Sequence, residues 1–591
     1  MLPAAPFARF DDVRPGRERA WSFAEPLGVL RADELDEVVP VLEAVDEAAR
    51  RGQWATGWLA YEAGAALDPA LAHRRPDVPY AWFALWGRRV RVPSLIDGAA
   101  EPPQRASGTD LAVTTTPARH RCAVEAIVDA IAAGDVYQVN LTAGVDGPAA
   151  DPLGLARTMA AAQRGGHHAL VVSDGHAVVS ASPELFLARR GPWLLSRPMK
   201  GTAARGRWAE HDGAAAAALL ASEKDRAELV MIVDLVRNDL GRVAVPGTVR
   251  ADREPRLEAY PTVWQLTARV AARARPGTGL VDVLRATFPP GSVTGAPKVA
   301  ACRIIAALEG APRGVYCGAV GWVGPGERAR FNVAIRTAVV DLAAGRLRYG
   351  AGGGITADSD AGREWAELRQ KALVLASGPA DGVFETLRVT PRRGAVRASR
   401  HLGRLAAAAR RWCLPFDGIA ARACLDEAVA ATSEPSRLRL ELHPDGRLRA
   451  VAAPLPPRRE PVRLVVDDEP VDQDDPRASW KLLDRDRFAR RLARHPGVDD
   501  VVLVNRRGEL VETTTANLLV RVGGRWCTPP LDSGCLPGVG RAVLLDAGRV
   551  HERVLTPADL EAASAVAVVS SLRGIRRAAL VAAGTARPVP A

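Results

Sequence analysis

Lysine is nearly absent from this chain. Only five of its 79 basic residues are lysines, Lys200, Lys224, Lys298, Lys371 and Lys481, and the rest are arginines. Guanidinium has taken over wherever a positive charge alone is wanted. The remaining lysines are candidates for work that needs an amine. An amine can shed its proton and attack carbon or form a Schiff base; a guanidinium in a protein cannot. A high-GC codon bias would also deplete lysine, so each one is weighed by its neighbours. Lys200 and Lys481 stand far apart in unrelated contexts, which predicts two separate amine chemistries on one chain.

Other shortages exclude whole classes. Aromatic residues make up 5% of the 591 residues and never interleave with a basic run, so the net charge of +11 points to no nucleic-acid partner. A basic scaffold or nucleic-acid binder remains as the reading from another class, to be dismissed by an absence of salt-sensitive binding. The seven cysteines form no Cys-x-x-Cys pair. An odd, scattered set of thiols suits a reducing compartment and argues against a disulfide framework or zinc site. No apolar run approaches a membrane span, and MLPAAPFARFDDVRPG holds no signal-peptide core. The expectation is a soluble cytoplasmic protein with no membrane partner.

What is present is enough apolar residue, 48%, for several cores. The clearest seam is LVLASGPADG (373–382), where a helical pattern ends in Ser, Gly and Pro. It predicts domains over 1–376 and 382–591 with a linker at 377–381. HALVVSDGHAVVSAS (168–182) reads as two strands and a tight turn, and the alanine-rich runs 117–133 and 208–240 read as helices. Irregular interleaving predicts a multidomain α+β protein: antiparallel sheets with covering helices, then a second segment split near 454–461 into two subdomains.

Four acids stand in two pairs, Asp225 with Glu228 and Glu364 with Glu367. A spacing of three puts each pair on one helical face, and Lys371 extends the second stripe. Alone, either pair reads as a solvated face. Close before Glu364, however, lies a Gly350-Ala-Gly-Gly-Gly354 run whose backbone N–H groups are expected to cradle an anion. Carboxylates facing oxygen-rich ligands favour Mg2+. Metal and anion nest together predict a small, multiply anionic substrate.

YQVNLT (137–142), SPELF (182–186), RPMKGT (197–202), AELVMIVDLVRNDLG (227–241), PGSVTGAPK (290–298), YCGAVG (316–321), FNVAIRT (331–337) and GAGGGITADSD (350–360) resemble, in order, the chorismate-utilising enzymes. This resemblance implies that Glu228 and Glu367 hold Mg2+ with Asp225 and Glu364 in support. It implies that Thr294, Tyr316, Arg336, Lys371 and the Gly352, Gly353 and Gly354 backbone bind chorismate. Water-adding members carry a lysine base where Gln138 stands, and an amide cannot take a proton from water. Anthranilate synthases carry a small residue where Lys200 stands; aminodeoxychorismate synthases carry lysine. The resemblance therefore implies covalent addition of Lys200 to the ring, Glu184 as general acid, and ammonia from a separate glutamine amidotransferase subunit. Gln265 in VWQLTAR departs from the family histidine and further disfavours anthranilate formation.

Lys481 follows a loop of acids and prolines in ASWKLLDRDRF and reads locally as a lysine opening a helix. Downstream come a strand, a turn at Arg506-Arg507-Gly508, a second strand with Glu512, and the Gly-rich LPGVGR turn (536–541). A lysine, an acid and a phosphate turn are the parts a pyridoxal phosphate site requires. With GVFETLRV (382–389), RHLGRL (400–405) and ETTTANLL (512–519), these strings resemble the fold-type IV pyridoxal-phosphate family, which includes aminodeoxychorismate lyase. That resemblance implies a Schiff-base Lys481 and a Glu512 partner for the pyridine nitrogen. It implies phosphate held by Arg404 and the Val539 and Gly540 backbone, helped by Ser571, with Arg485 near the ring and a homodimer through this segment. No tyrosine follows Lys481 as in the aminotransferases, which favours the lyase. Joined, the halves imply bifunctional 4-aminobenzoate synthesis for folate. The competing enzyme reading is an anthranilate synthase fused to a branched-chain or D-amino-acid aminotransferase.

Overall fold

The computed structural model describes residues 5–97, 111–372, 375, 381–455 and 457–581. Apart from Asp381, the expected linker lies outside the described residues. The chain divides into two compact units, one of Met1–Ala204 with Ala216–Pro379, the other of Arg205–Ala215 with Ala380–Ala591. The assignment of the short stretch Arg205–Ala215 to the second unit is not suggested by chain order.

In the first unit two large antiparallel sheets, of ten and nine strands, pack face to face. Trp54, Trp58, Trp82 and Trp86 of one sheet meet Ala8, Ala169, Val171 and Val178 of the other. Trp58 and Trp82 stack at 4.9 Å between ring centroids. Concentrating four of thirteen tryptophans here gives large contact area between two otherwise alanine- and valine-rich faces. Helices cover the outer faces: Val38–Arg50 and Leu280–Thr287 on the nine-stranded sheet, Pro152–Gln163 on the ten-stranded one. The α+β expectation holds.

The strands expected within 168–182 are His167–Val172 and His176–Ser182, paired as a hairpin. The expected helix at 117–133 is Pro117–Ala132. The long run 208–240 is two helices, Ala209–Ala221 and Glu223–Gly241, broken where the Ser222 hydroxyl accepts the Asp225 N–H and caps the second.

Two crossings between the large sheets matter for function. The chain leaves the ten-stranded sheet after His176–Ser182 and enters the nine-stranded one at Leu185–Arg190, placing Glu184 in the gap. It returns between Arg328–Val333 and Thr337–Asp341, placing Arg336 there in the left-handed region at φ 50°. The crossings are tied together, Val333 N donating to Glu184 O and Ala181 N to Arg336 O.

In the second unit a four-stranded sheet holds Val383–Thr390, Ser436–Leu442 and Leu448–Pro454, covered by helices Ala398–Arg411 and Gly418–Ala430. An eight-stranded mixed sheet begins at Val462–Val466, so the 454–461 stretch separates the two sheets. No helix of the described residues is long and apolar enough to cross a membrane, and all seven cysteines are free.

Candidate active sites

A cavity of about 270 Å3 opens in the first unit beside the two crossings. A small sheet supplies one wall: Met199–Ala204 pairs with Val263–Thr267, setting Lys200 opposite Leu266 and Thr202 opposite Gln265. The Gly-rich strand Arg346–Ile355 and helices Glu223–Gly241 and Ala361–Ala372 supply the others. Lys200, Glu184, Tyr316, Arg336, Gly352, Gly353, Gly354, Lys371, Asp225, Glu228, Glu364 and Glu367 all line this one space. Residues spread over almost two hundred positions are thereby brought together.

Lys200 makes no ion pair among the described residues, and burial lowers its pKa against the pull of Glu228. Burial raises Glu184 to about 7, opposed by the Ser292 hydroxyl and Lys200. An amine disposed to lose its proton therefore shares a cavity with a carboxyl disposed to keep one. Arg336 is 8% exposed, and its Nη1 has no hydrogen-bond partner among the described residues. A buried guanidinium with unused donors is a receptor for an anion. Lys371 donates to Gly352 O at 2.6 Å and pairs with Glu367 at 2.7 Å.

Four expectations need correction. The Gly350–Gly354 run is no nest but part of a strand, paired residue for residue with Gln138–Pro148. The N–H groups of Thr142 and Asn140 point away from this ladder, to Glu309 and to Thr294 O. Their partners Gly352 and Gly354 therefore direct their own N–H groups to the free edge, whereas Gly353 bonds within the ladder. Glycine is needed for a different reason. A Cβ on Gly350 would strike the Tyr316 ring, and one on Gly354 would sit 2.6 Å from Lys200 Nζ and strike Gln138 Nε2. Gly354→Ala is expected to displace Lys200 and lower first-site turnover by about 10- to 100-fold, while an unchanged urea midpoint shows the fold intact.

Thr294, second, is fully buried and outside the cavity wall, its hydroxyl donating to Pro290 O and Gly291 O. Its neighbour Ser292 lines the cavity instead. Sequence reasoning did not single out Ser292, Asn140 and Thr202, although each stands within a quoted string, PGSVTGAPK, YQVNLT and RPMKGT respectively.

The four acids offer the all-oxygen donor set that a hard cation takes. They are half-buried carboxylates of two helices crowding one space, and no three of them bring oxygens within 4.8 Å among the described residues. Burial raises Glu228 and Glu364. Burial would raise Glu367 too, but Lys371 holds it below the usual range. A pair of carboxylates with room for water and ligand oxygens is what Mg2+ prefers.

In the second unit Lys481 does not open a helix. It lies in an extended stretch bridged to Val383–Thr390, where Phe384 N bonds its carbonyl. Its Nζ donates to Thr386 Oγ1 at 3.2 Å and lies 4.7 Å from the Phe384 ring centroid. Burial brings it down to about 7, opposed by Glu385 and aided by Arg404, Arg485 and Arg439. Glu512, on Leu510–Thr513, is pushed up to about 7 by burial, and Asn517 donates to it at 3.1 Å. A buried carboxylate so poorly compensated suits a cation such as a protonated pyridine nitrogen. Val539 and Gly540 begin the helix Val539–Asp546, whose first N–H groups suit a phosphate.

Arg404, too, departs from expectation. Two of its nitrogens grip Glu385 at 2.7 Å each and the third donates to Pro537 O at 2.8 Å, so it offers no open fork. The reason is Glu385 itself. Burial would raise it, but Arg404 and His401 hold it at about 2. His401 in turn contacts Ser571 Oγ at 2.8 Å. This network links strand, helix and turn across 186 positions of chain (Glu385 to Ser571), and the motifs alone do not show it.

Residues 10–377 match the chorismate binding enzymes, and residues 382–581 match the class IV aminotransferases, which implies pyridoxal phosphate as coenzyme. An aminodeoxychorismate synthase of Streptomyces griseus is 40% identical over 363 residues, covering 54% of this chain and 50% of the relative. Aminodeoxychorismate synthase component 1 of Bacillus subtilis is 37% identical, covering 43% and 54%. Anthranilate synthase component 1 of Streptomyces coelicolor is 39% identical, covering 49% and 57%. The chain thus spans about half the length of these curated relatives. Among solved structures, anthranilate synthase component I of Streptococcus pneumoniae superposes with a TM-score of 0.53 at 22% identity, covering 64% of this chain and 94% of that one, a likeness of fold. With 10–377 matched, this chain belongs to the chorismate binding enzyme family, and a class IV aminotransferase domain is fused behind it.

Proposed function

We propose that the chain converts chorismate and ammonia to 4-aminobenzoate and pyruvate in two steps, one in each unit. The observation that carries this reading is Lys200, an unpaired amine in a cavity that also holds an unused guanidinium and four carboxylates. In the first step the neutral Lys200 amine attacks ring C2, both ring double bonds shift one place toward C4, and the C4 hydroxyl leaves as water with a proton from Glu184. Ammonia then attacks C4 and the Lys200 amine departs from C2, giving 4-amino-4-deoxychorismate. Splitting one hard displacement into two is what a nucleophile offers. Arg336, Lys371 and the Gly352 and Gly354 amides would hold the substrate carboxylates. Glu228 and Glu367, supported by Asp225 and Glu364, would hold Mg2+ against one of them.

In the second unit Lys481 would hold pyridoxal phosphate, with Glu512 at the pyridine nitrogen and the Val539 and Gly540 amides at the phosphate. The coenzyme, when bound, supplies an electron sink at the substrate amine. Lys481 would take the C4 proton, and loss of pyruvate is driven by aromatisation of the ring. Free ammonia suffices in vitro; in cells a glutamine amidotransferase subunit would deliver it, in the reducing cytoplasm that seven free thiols suit. The product would serve folate synthesis, and a second copy is proposed as partner through the aminotransferase-like unit.

Anthranilate formation is the rival, because relatives of both names match with similar identity. A lysine at 200 and an amide at 265 favour the 4-amino product. Purified protein with chorismate, ammonium, Mg2+ and pyridoxal phosphate is expected to yield 4-aminobenzoate plus pyruvate, identified by mass and fluorescence. Formation of 2-aminobenzoate would overturn the reading.

A pH dependence follows. The first step needs Lys200 neutral and Glu184 protonated. Glu184 holds its proton below about 7 and loses it above. The kcat/KM profile is therefore bell-shaped, with apparent values belonging to the coupled pair. Glu184→Gln is expected to cost ~10^2- to 10^4-fold and to remove one of the two limbs.

A further inference from the structure

Several features outside the assigned roles were candidates. A larger cavity of about 630 Å3 beside Tyr316 and Tyr349 is walled by acids and arginines in near balance. The Asp467, Asp468 and His495 cluster is already neutralised by Arg491 and Arg494. The feature carrying most is an unused acceptor in the first cavity.

Gln265 is 8% exposed and lines that cavity, and its Oε1 has no hydrogen-bond partner among the described residues. Its Nε2 donates to Thr202 Oγ1 at 3.3 Å across the strand pair, which fixes the amide plane. Leaving a buried acceptor unpaired costs free energy, so a donor is expected to meet it. Chorismate brings two carboxylates, which accept only, and one donor, the C4 hydroxyl. That hydroxyl has its own partner, because its departure requires the proton of Glu184, placed at the sheet crossing beside Ser292. Besides the Lys200 amine, which is bonded to ring C2 when C4 is attacked, the remaining donor in the reaction is ammonia. Gln265 pairs with Thr202, two residues after Lys200, and all three line this cavity, so the acceptor lies on the same wall as the nucleophile.

We propose that Gln265 and Thr202 form an ammonia-binding subsite, in which the Gln265 carbonyl accepts one N–H of ammonia and leaves its lone pair directed at the ring. This rests on the first-step chemistry proposed above. Being uncharged, the amide favours ammonium, which has no lone pair to donate, far less than a carboxylate would.

The test uses the full-length protein with Mg2+ and saturating chorismate, following chorismate consumption against ammonium concentration. Gln265→Leu keeps the bulk and removes the acceptor. It is expected to raise KM for ammonium about 5- to 30-fold, with kcat and the chorismate KM within about twofold. Gln265→Glu restores an acceptor but prefers ammonium, so it keeps a low ammonium KM and moves the rate optimum to higher pH. Thr202→Val, a milder change that frees the amide plane, is expected to raise the ammonium KM to a lesser degree. An ammonium KM unchanged in both Gln265→Leu and Thr202→Val overturns the subsite. So does a rise confined to the chorismate KM, which would assign the acceptor to the ring hydroxyl. If the wild-type protein consumes no chorismate with ammonium, the proposed function fails first and takes the subsite with it.

Discussion

Lys200→Ala is expected to lower formation of 4-amino-4-deoxychorismate by roughly 10^3-fold or more, the scale on which enzymes lose a nucleophile. The wall around Lys200 is arranged for an amine. Its Nζ has no carboxylate partner, lies over Gly354 where a Cβ would displace it, and is shifted by burial toward the neutral form. Chorismate binding is expected to survive the substitution, because Arg336, Lys371 and the strand-edge amides are untouched. The decisive companion is Lys200→Arg. Arginine replaces lysine almost everywhere else in this chain, so a role in charge alone predicts rescue by arginine. A nucleophilic role predicts none, because guanidinium stays protonated. Initial rates of chorismate loss, with intact mass of the trapped enzyme, distinguish the two.

Lys481→Ala is expected to abolish 4-aminobenzoate formation, by ~10^3-fold or more, while the first step continues and its aminated product accumulates. Lys481 is held at about 7, so a large share of the amine is neutral near neutral pH, and Thr386 orients it. The substitution is also expected to remove the visible absorbance that pyridoxal phosphate acquires on this protein, a readout independent of turnover. Glu512→Gln is a graded control, retaining coenzyme and losing rate.

Much of this was legible because the chemistry sits in short strings. RPMKGT, SPELF and the two acid pairs name their residues outright, and the three-residue spacing places Asp225 with Glu228 and Glu364 with Glu367 whatever the tertiary fold. What depends on pairing between distant segments was not legible. The Gly350–Gly354 run looks like a nest until its ladder with Gln138–Pro148 is known. Thr294 reads as a ligand because it stands in a motif, yet its hydroxyl is consumed by Pro290 and Gly291. Arg404 reads as a phosphate fork because nothing local reveals that Glu385, nineteen residues earlier, is buried and needs a counterion. The Gln265–Thr202 contact spans 63 residues and exists only because two strands align.

One chain is expected to set a new C–N bond at ring C4 and then strip pyruvate from the same molecule. This is tested most directly by supplying heavy-nitrogen ammonium with chorismate, Mg2+ and pyridoxal phosphate. Labelled 4-aminobenzoate and pyruvate are expected in equal amounts. Label appearing in 2-aminobenzoate, or chorismate consumed with no labelled 4-aminobenzoate, would contradict it.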